Sequence, residues 1–96
     1  MVESKTGRVS VKFFTRPGCH LCDGARREML EAAVGALYEL QEIDIDSDPD
    51  LVRRFGWDIP VVMINGLVVF KHRLTRGDFR REIQHASSLV GRGPRG

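Results

Sequence analysis

The chain has 96 residues, of which 42% are hydrophobic and 29% charged, and a net charge of +2. That length fits one domain with one modest core, and the composition excludes a disordered, collagen-like or coiled-coil chain. The charge excess is far below that of a dedicated nucleic-acid binder, no apolar run approaches the ~20 residues needed to span a bilayer, and two cysteines cannot staple a small secreted scaffold. Met1–Arg8 is polar and lacks the apolar stretch of a signal peptide. The expected compartment is therefore a reducing cytoplasm, where a close cysteine pair means redox chemistry or metal.

No internal repeat or low-complexity tract is present. Residues 1–7 are polar and residues 91–96 are rich in Gly and Pro, so flexible ends are expected around a single folded unit at 8–90. Arg8–Thr15 reads as a strand, with Val9, Val11 and Phe13 alternating with Ser10 and Lys12. Arg16-Pro17-Gly18 breaks it. A helix is expected from Cys19 to Ala36, with Leu21, Ala25, Met29, Ala32, Ala33 and Ala36 on its apolar face. Leu37–Asp46 contains a second strand, with Leu40, Ile43 and Ile45 as its apolar content. Asp48-Pro49 suits a helix start, and Gly56 suits a left-handed helix end. Val61–Ile64 and Leu67–Lys71 flank Asn65-Gly66, the strongest short hairpin pattern. Thr75–Asp78 can cap a last helix that carries Phe79, Ile83, Ala86 and Val90 on one face.

The order is β-α-β-α-β-β-α. A helical crossover makes the first two strands parallel, and the hairpin is antiparallel. The expected fold class is α/β, a four-stranded mixed sheet flanked by three helices.

Cys19-His20-Leu21-Cys22 falls where the first strand gives way to the first helix. A helix N-terminus carries unpaired N–H groups and partial positive charge, which stabilise a thiolate. Cys19, at the helix start, is the expected nucleophile. Cys22 lies one turn later on the same face and is placed to resolve a mixed disulfide. Arg16 adds a nearby positive charge. His20 either favours the thiolate further or is simply exposed. Asp23 is either a modulator of Cys22 or a plain first-turn acid, and the plainer reading is preferred.

Phe13-Phe-Thr-Arg-Pro-Gly-Cys-His-Leu-Cys22 and Asp58-Ile-Pro-Val-Val-Met-Ile-Asn-Gly66 together resemble the glutaredoxins of the thioredoxin superfamily, in a short branch with a Cys-His-Leu-Cys motif. The resemblance runs through nearly all of residues 8–90 in element order. It implies a thioredoxin-like fold and thiol–disulfide oxidoreductase activity. It further implies a cis bond before Pro60, substrate pairing at the backbone of Ile59, and Arg16 near a glutathione carboxylate. After the hairpin the chain has Phe70-Lys-His-Arg-Leu-Thr75 in place of the family's Gly-Gly turn, with Gly77-Asp78 as a partial substitute or a capping acid. Glutathione is accordingly a candidate co-substrate, and no tightly bound cofactor or metal is expected.

The expected partners are protein or low-molecular-weight disulfides, met by a monomer without membrane or nucleic acid. Lys71, Arg73, Arg76, Arg80 and Arg81 form a basic cluster that is read as a solvated helix face. Trp57 is either core or the lining of a substrate groove. Two other functions stay open. One is metal or iron–sulfur handling through the cysteines, with His20, His72 or His85 as further ligands. The other is a redox-inactive partner-binding module on the same fold.

Overall fold

The structure, a computed structural model, describes residues 7–92, with side chains to Leu89. Residues 1–6 and 93–96 of the expected flexible ends, and the side chain of Val90, lie outside the described residues. The elements are β1 (Val9–Thr15), α1 (His20–Glu31), β2 (Tyr38–Asp44), α2 (Pro49–Phe55), β3 (Val61–Ile64), β4 (Leu67–Lys71) and α3 (Arg76–Arg92). Short 3₁₀ turns at Gly35–Leu37 and Ile45–Ser47 flank β2. The four strands form one sheet in the order β2-β1-β3-β4. β1 pairs parallel with β2 and antiparallel with β3, and β3 pairs antiparallel with β4. The expected α/β architecture is therefore the observed one.

Each sheet face has its own core. Val9, Val11 and Phe13 of β1 join Val62 and Ile64 of β3 beneath Ala25 and Met29 of α1 and Phe79, Ile83 and Ala86 of α3. Phe14 and Val61 point the other way, against Ile45 and Phe55. The second core is small because α2 spans only seven residues. It covers the end of β1 that holds Phe14 and leaves Lys12 exposed.

The hairpin turns through Asn65 and Gly66 at φ of 50° and 85°, the left-handed pair that a two-residue loop demands. Asn65 also ties the turn to β1: its Oδ1 accepts from Ser10 N–H at 3.0 Å, and its own N–H donates to the Ser10 carbonyl at 2.8 Å. A bulge lies between Val62 and Met63.

Several expectations are corrected. α1 ends at Glu31, not Ala36, because Ala33 takes a left-handed φ of 58° and its N–H turns back to the Leu30 carbonyl. The break lets the chain reverse so that Tyr38 pairs with Val9. Ala33 and Ala36 are consequently exposed, continuing the alanine spacing without a helix to carry it. Leu21 is 49% exposed, since it sits in the first turn of α1 beyond the end of β1. β2 is an edge strand, so Leu40 is exposed, while Ile45 is buried from the 3₁₀ turn that follows the strand. Gly56 ends α2 at φ −54° and is not left-handed. Its glycine answers a space constraint: a Cβ there would lie 2.5 Å from the Val52 carbonyl oxygen.

α3 begins behind a Thr75 cap whose Oγ1 accepts from Asp78 N–H at 3.1 Å. Arg76 then fastens α3 to α1, with Nε 3.1 Å from Glu28 Oε1 and Nη2 2.5 Å from Glu31 Oε1. The hydrogen bond from Arg76 holds the Glu28 carboxyl below its ordinary value. Arg81 does the same for Asp78. A depressed carboxyl contributes stability that is fully present above its unfolded pKa of about 4 and lost as pH falls through the lower folded value. Thermal melts from pH 7 to pH 2 should show midpoints falling below about pH 4, and Glu28→Gln should flatten part of that fall. Phe79 is fully buried, meets Tyr38 edge-on at 5.4 Å and lies 6.4 Å from Phe70. Phe79→Ala should cost about 3–5 kcal/mol in urea denaturation, and a loss under about 1 kcal/mol would contradict this packing.

Candidate active site

The chain between β1 and α1 is Arg16-Pro17-Gly18-Cys19. Gly18 turns it at φ 80°, a left-handed value that side chains rarely adopt. Cys19 follows in extended conformation as the N-cap of α1. Its Sγ accepts from Cys22 N–H at 3.1 Å, and its carbonyl accepts from Asp23 N–H at 3.2 Å. The sulfur therefore takes the place of the capping oxygen that Ser or Asp would supply, satisfying one of the helix's free donors. Cys19 and Cys22 are joined as a disulfide with their Cα atoms 5.2 Å apart. The two sulfurs are unequal. Cys22 is 1% exposed and packs in the α1 side of the core, whereas Cys19 is only partly buried. An outside reagent meets Cys19 first.

The sheet register carries the second half of the site. Phe14 pairs with Val61, so Ile59-Pro60 lies beside the end of β1 from which the Cys19 loop departs. The bond between Ile59 and Pro60 is cis, as the resemblance implies. Pro60 is fully buried, and Ile59 is partly buried against both cores. The loop is held from behind. His72 N–H donates to the Pro60 carbonyl at 2.9 Å, and Asp58 meets Lys71 Nζ at 3.4 Å and His72 Nε2 at 3.8 Å. Trp57, two residues before Ile59, is 93% exposed, which decides for the surface over the core.

The charges near the cysteines are already engaged. Arg16 lays its guanidinium on Asp46, with Nη2 2.6 Å and Nε 3.2 Å from Oδ1. That hydrogen bond holds Asp46 below its ordinary pKa and raises Arg16. Asp46 is presented by the 3₁₀ turn after β2, where the Asp44 side chain accepts its N–H at 2.8 Å. Asp23 accepts from Arg26 at 2.9 Å, and Arg26 also bonds Glu42 of β2. His20 is exposed in the first turn of α1.

Sequence reasoning missed Asp46, Arg26 and Glu42. Only the pairing of β2 with β1 brings Asp46 and Glu42 to the cysteine end of the sheet, where Arg26 of α1 meets Glu42, and the signal available in the sequence for the two acids was no more than a run of acids.

Four residues of the basic cluster, all but Arg73, are taken up by separate partners. Lys71 meets Asp58, Arg76 meets Glu28 and Glu31, Arg80 donates to the Ala32 carbonyl at 2.9 Å, and Arg81 meets Asp78. Asp78 is thus engaged at the start of α3, behind its Thr75 cap. Among the described residues no three His, Cys, Asp or Glu side chains gather as a metal-binding group.

In the reduced protein the capping position should lower the Cys19 thiol below the ordinary ~8.5, while buried Cys22 reacts more slowly. Iodoacetamide labelling against pH, read by peptide mass, should show Cys19 modified first with a midpoint below about pH 8. Equal rates at both cysteines would overturn the asymmetry.

Comparison with known proteins agrees with this geometry. The family model described as "Glutaredoxin-like domain (DUF836)" matches residues 10–84. The "Glutaredoxin-like protein YDR286C homolog" of Dictyostelium discoideum is 38% identical over 73 residues, covering 69% of this chain and 67% of that protein. Among solved structures, the structural genomics target protein XcR50 from X. campestris matches with a TM-score of 0.69 at 25% identity, covering 79% of this chain and 97% of that one. Chloroplastic thioredoxin z matches with a TM-score of 0.69 at 17% identity, covering 85% of this chain and 80% of that one, a likeness of fold alone. The architecture is that of the thioredoxin fold, and the chain belongs to the glutaredoxin-like domain (DUF836) family.

Proposed function

We propose that this protein is a small thiol–disulfide oxidoreductase that cycles between dithiol and disulfide at Cys19 and Cys22. The observation that carries the reading is a closed cysteine pair at a helix N-terminus, with one sulfur reachable and the other buried. In the reducing direction the Cys19 thiolate attacks a substrate disulfide and expels one substrate thiolate. Cys22 then attacks Cys19, releases the second substrate thiol and closes the pair.

The substrate lies along the Ile59-Pro60 loop and pairs with the Ile59 backbone. Arg16 is the cation offered to a substrate carboxylate, which must displace Asp46 to reach it. Asp23, paired with Arg26, acts as a plain first-turn acid of α1, and His20 stands exposed beside the cysteines as the one candidate modulator of the thiols in that turn. Glutathione serves as a co-substrate exchanging from solution, and the other partners are protein or low-molecular-weight disulfides. The protein works as a monomer in a reducing cytoplasm. Among the described residues no helix is long and apolar enough to cross a membrane.

A redox titration in glutathione buffers, with thiol trapping and intact-mass readout, tests the reading. A reversible intramolecular pair between about −270 and −180 mV is expected. Cys19→Ser should abolish turnover, and Cys22→Ser should accumulate mixed disulfides. Turnover retained in Cys19→Ser, or no intramolecular disulfide at any accessible potential, would sink the mechanism and favour a metal-handling or partner-binding role.

A further inference from the structure

Arg16 precedes Cys19 by three positions, which keeps the two Cα atoms within about 11 Å. It also lines, with Cys22, an open pocket of about 260 Å³. A free guanidinium there would draw an anionic disulfide toward Cys19. The Arg16 guanidinium is not free. Its Nε and Nη2 form one edge of the fork, and Asp46 takes that edge with both oxygens, at 2.6 Å from Nη2 and at 3.2 and 3.3 Å from Nε.

Asp46 is held for this contact by its own turn. Fully buried Ile45 precedes it, its N–H donates to Asp44 Oδ1 at 2.8 Å, and Ser47 Oγ donates to the Asp44 carbonyl at 2.7 Å. Both partners stay within reach of a substrate, with the Arg16 side chain 35% and the Asp46 side chain 48% exposed. An exposed pair of this kind holds its partners by a factor of up to about five, so a substrate carboxylate displaces Asp46 only at a loss of that order. The other charges of the pocket repeat the pattern. Arg26 is bonded by Asp23 and Glu42, and Asp44 adds a further carboxylate. Arg16 and Arg26 thus stand against Asp23, Glu42, Asp44 and Asp46.

We propose that Asp46 sets the substrate preference of the cysteine pair: by occupying Arg16 it biases Cys19 toward uncharged or cationic disulfides and against those that carry carboxylates. The proposal deepens the dithiol reading above and rests on it. The reaction is the same for every substrate. The Cys19 sulfur bonds one substrate sulfur as the substrate S–S bond breaks, and Cys22 then closes the pair. The pair gives up two electrons and two protons, which leave on the two substrate thiols. Only the approach differs. A carboxylate has to displace Asp46 from Arg16 and enter among Asp23, Glu42 and Asp44, whereas an ammonium group is attracted by the same acids. Glutathione disulfide, a net anion, is held back by this arrangement, and cystamine, a dication, is not.

The test mixes reduced protein at pH 7 with excess glutathione disulfide, cystamine or uncharged hydroxyethyl disulfide, quenches with acid, and reads closure of the Cys19–Cys22 pair by intact mass. Each rate is expressed relative to that for hydroxyethyl disulfide, which removes any general loss from misfolding. Asp46→Asn should raise the relative rate of glutathione disulfide about threefold to tenfold at about 0.01 M salt, where the Debye length is about 30 Å, while that of cystamine does not rise. The gain should shrink at about 1 M salt, where that length is about 3 Å. Combining Asp46→Asn with Arg16→Gln should abolish the gain. Glu39→Gln, at the other end of β2 beside Ser10, should keep the parent's relative rates. Relative rates that are unchanged in Asp46→Asn, that rise equally for cystamine, or that rise equally at high salt overturn the proposal. So does a gain that persists without Arg16, because Asp46 then acts as a diffuse charge and not through the guanidinium. If hydroxyethyl disulfide leaves the parent protein without a Cys19–Cys22 disulfide, the dithiol reading itself fails, and the proposal falls with it.

Discussion

Strand β1 is hydrogen-bonded along both edges, and the site depends on where that strand stops. Its parallel pairing with β2 runs from Val9 to Thr15, while its antiparallel pairing with β3 runs from Val11 to Phe14. Three segments are thereby brought to one end of the sheet: the loop to Cys19, the acidic end of β2, and the Ile59-Pro60 bend before β3. None of the three is adjacent to another in sequence. The hydrogen bonds between Asn65 and Ser10 fix the same register from the far end. A slip of one residue would reverse every side chain of β3 and exchange the two cores.

The cysteine end of the molecule is arranged around a helix terminus whose cap is a sulfur. An oxygen cap would satisfy the same N–H and do nothing more. A sulfur there is held in a field that favours its anion when reduced, and its capping bond to Cys22 N–H ties it to the residue whose sulfur it is bonded to. Burial makes the two sulfurs unequal. Cys22 is an interior residue of α1, with Ala25 and Met29 on the same face, so Cys19 is the more accessible of the pair.

Around this pair the protein keeps its charges neutralised in place. Arg16 lies on Asp46, Arg26 bridges Asp23 and Glu42, and Asp58 gathers Lys71 and His72 behind the proline bend. Exposed pairs of this kind add little to stability one by one. Their effect is geometric, because they set which charges face the sulfurs and which are already spoken for. Trp57 and Leu21 are large apolar side chains left exposed.

The sequence by itself determined the element order, the hairpin at Asn65-Gly66, the Asp48-Pro49 helix start and the placement of Cys19-His20-Leu21-Cys22 at a strand-to-helix turn. These are local matters of periodicity, capping and turn chemistry, written within a few residues of where they act. Tertiary structure decided the rest. Ala33 and Ala36 fit the spacing of a helix that the return to β2 ends early, and Leu21 fits an apolar face that has no sheet beneath it at its first turn. Gly56 was read for its backbone freedom and is required for its missing Cβ. Asp46, Arg26 and Glu42 acquired their places beside the cysteines only through strand pairing and helix packing. Their meeting joins residues 16 and 30 positions apart. No local pattern encodes such contacts, because the physical cause is the register of one strand against another.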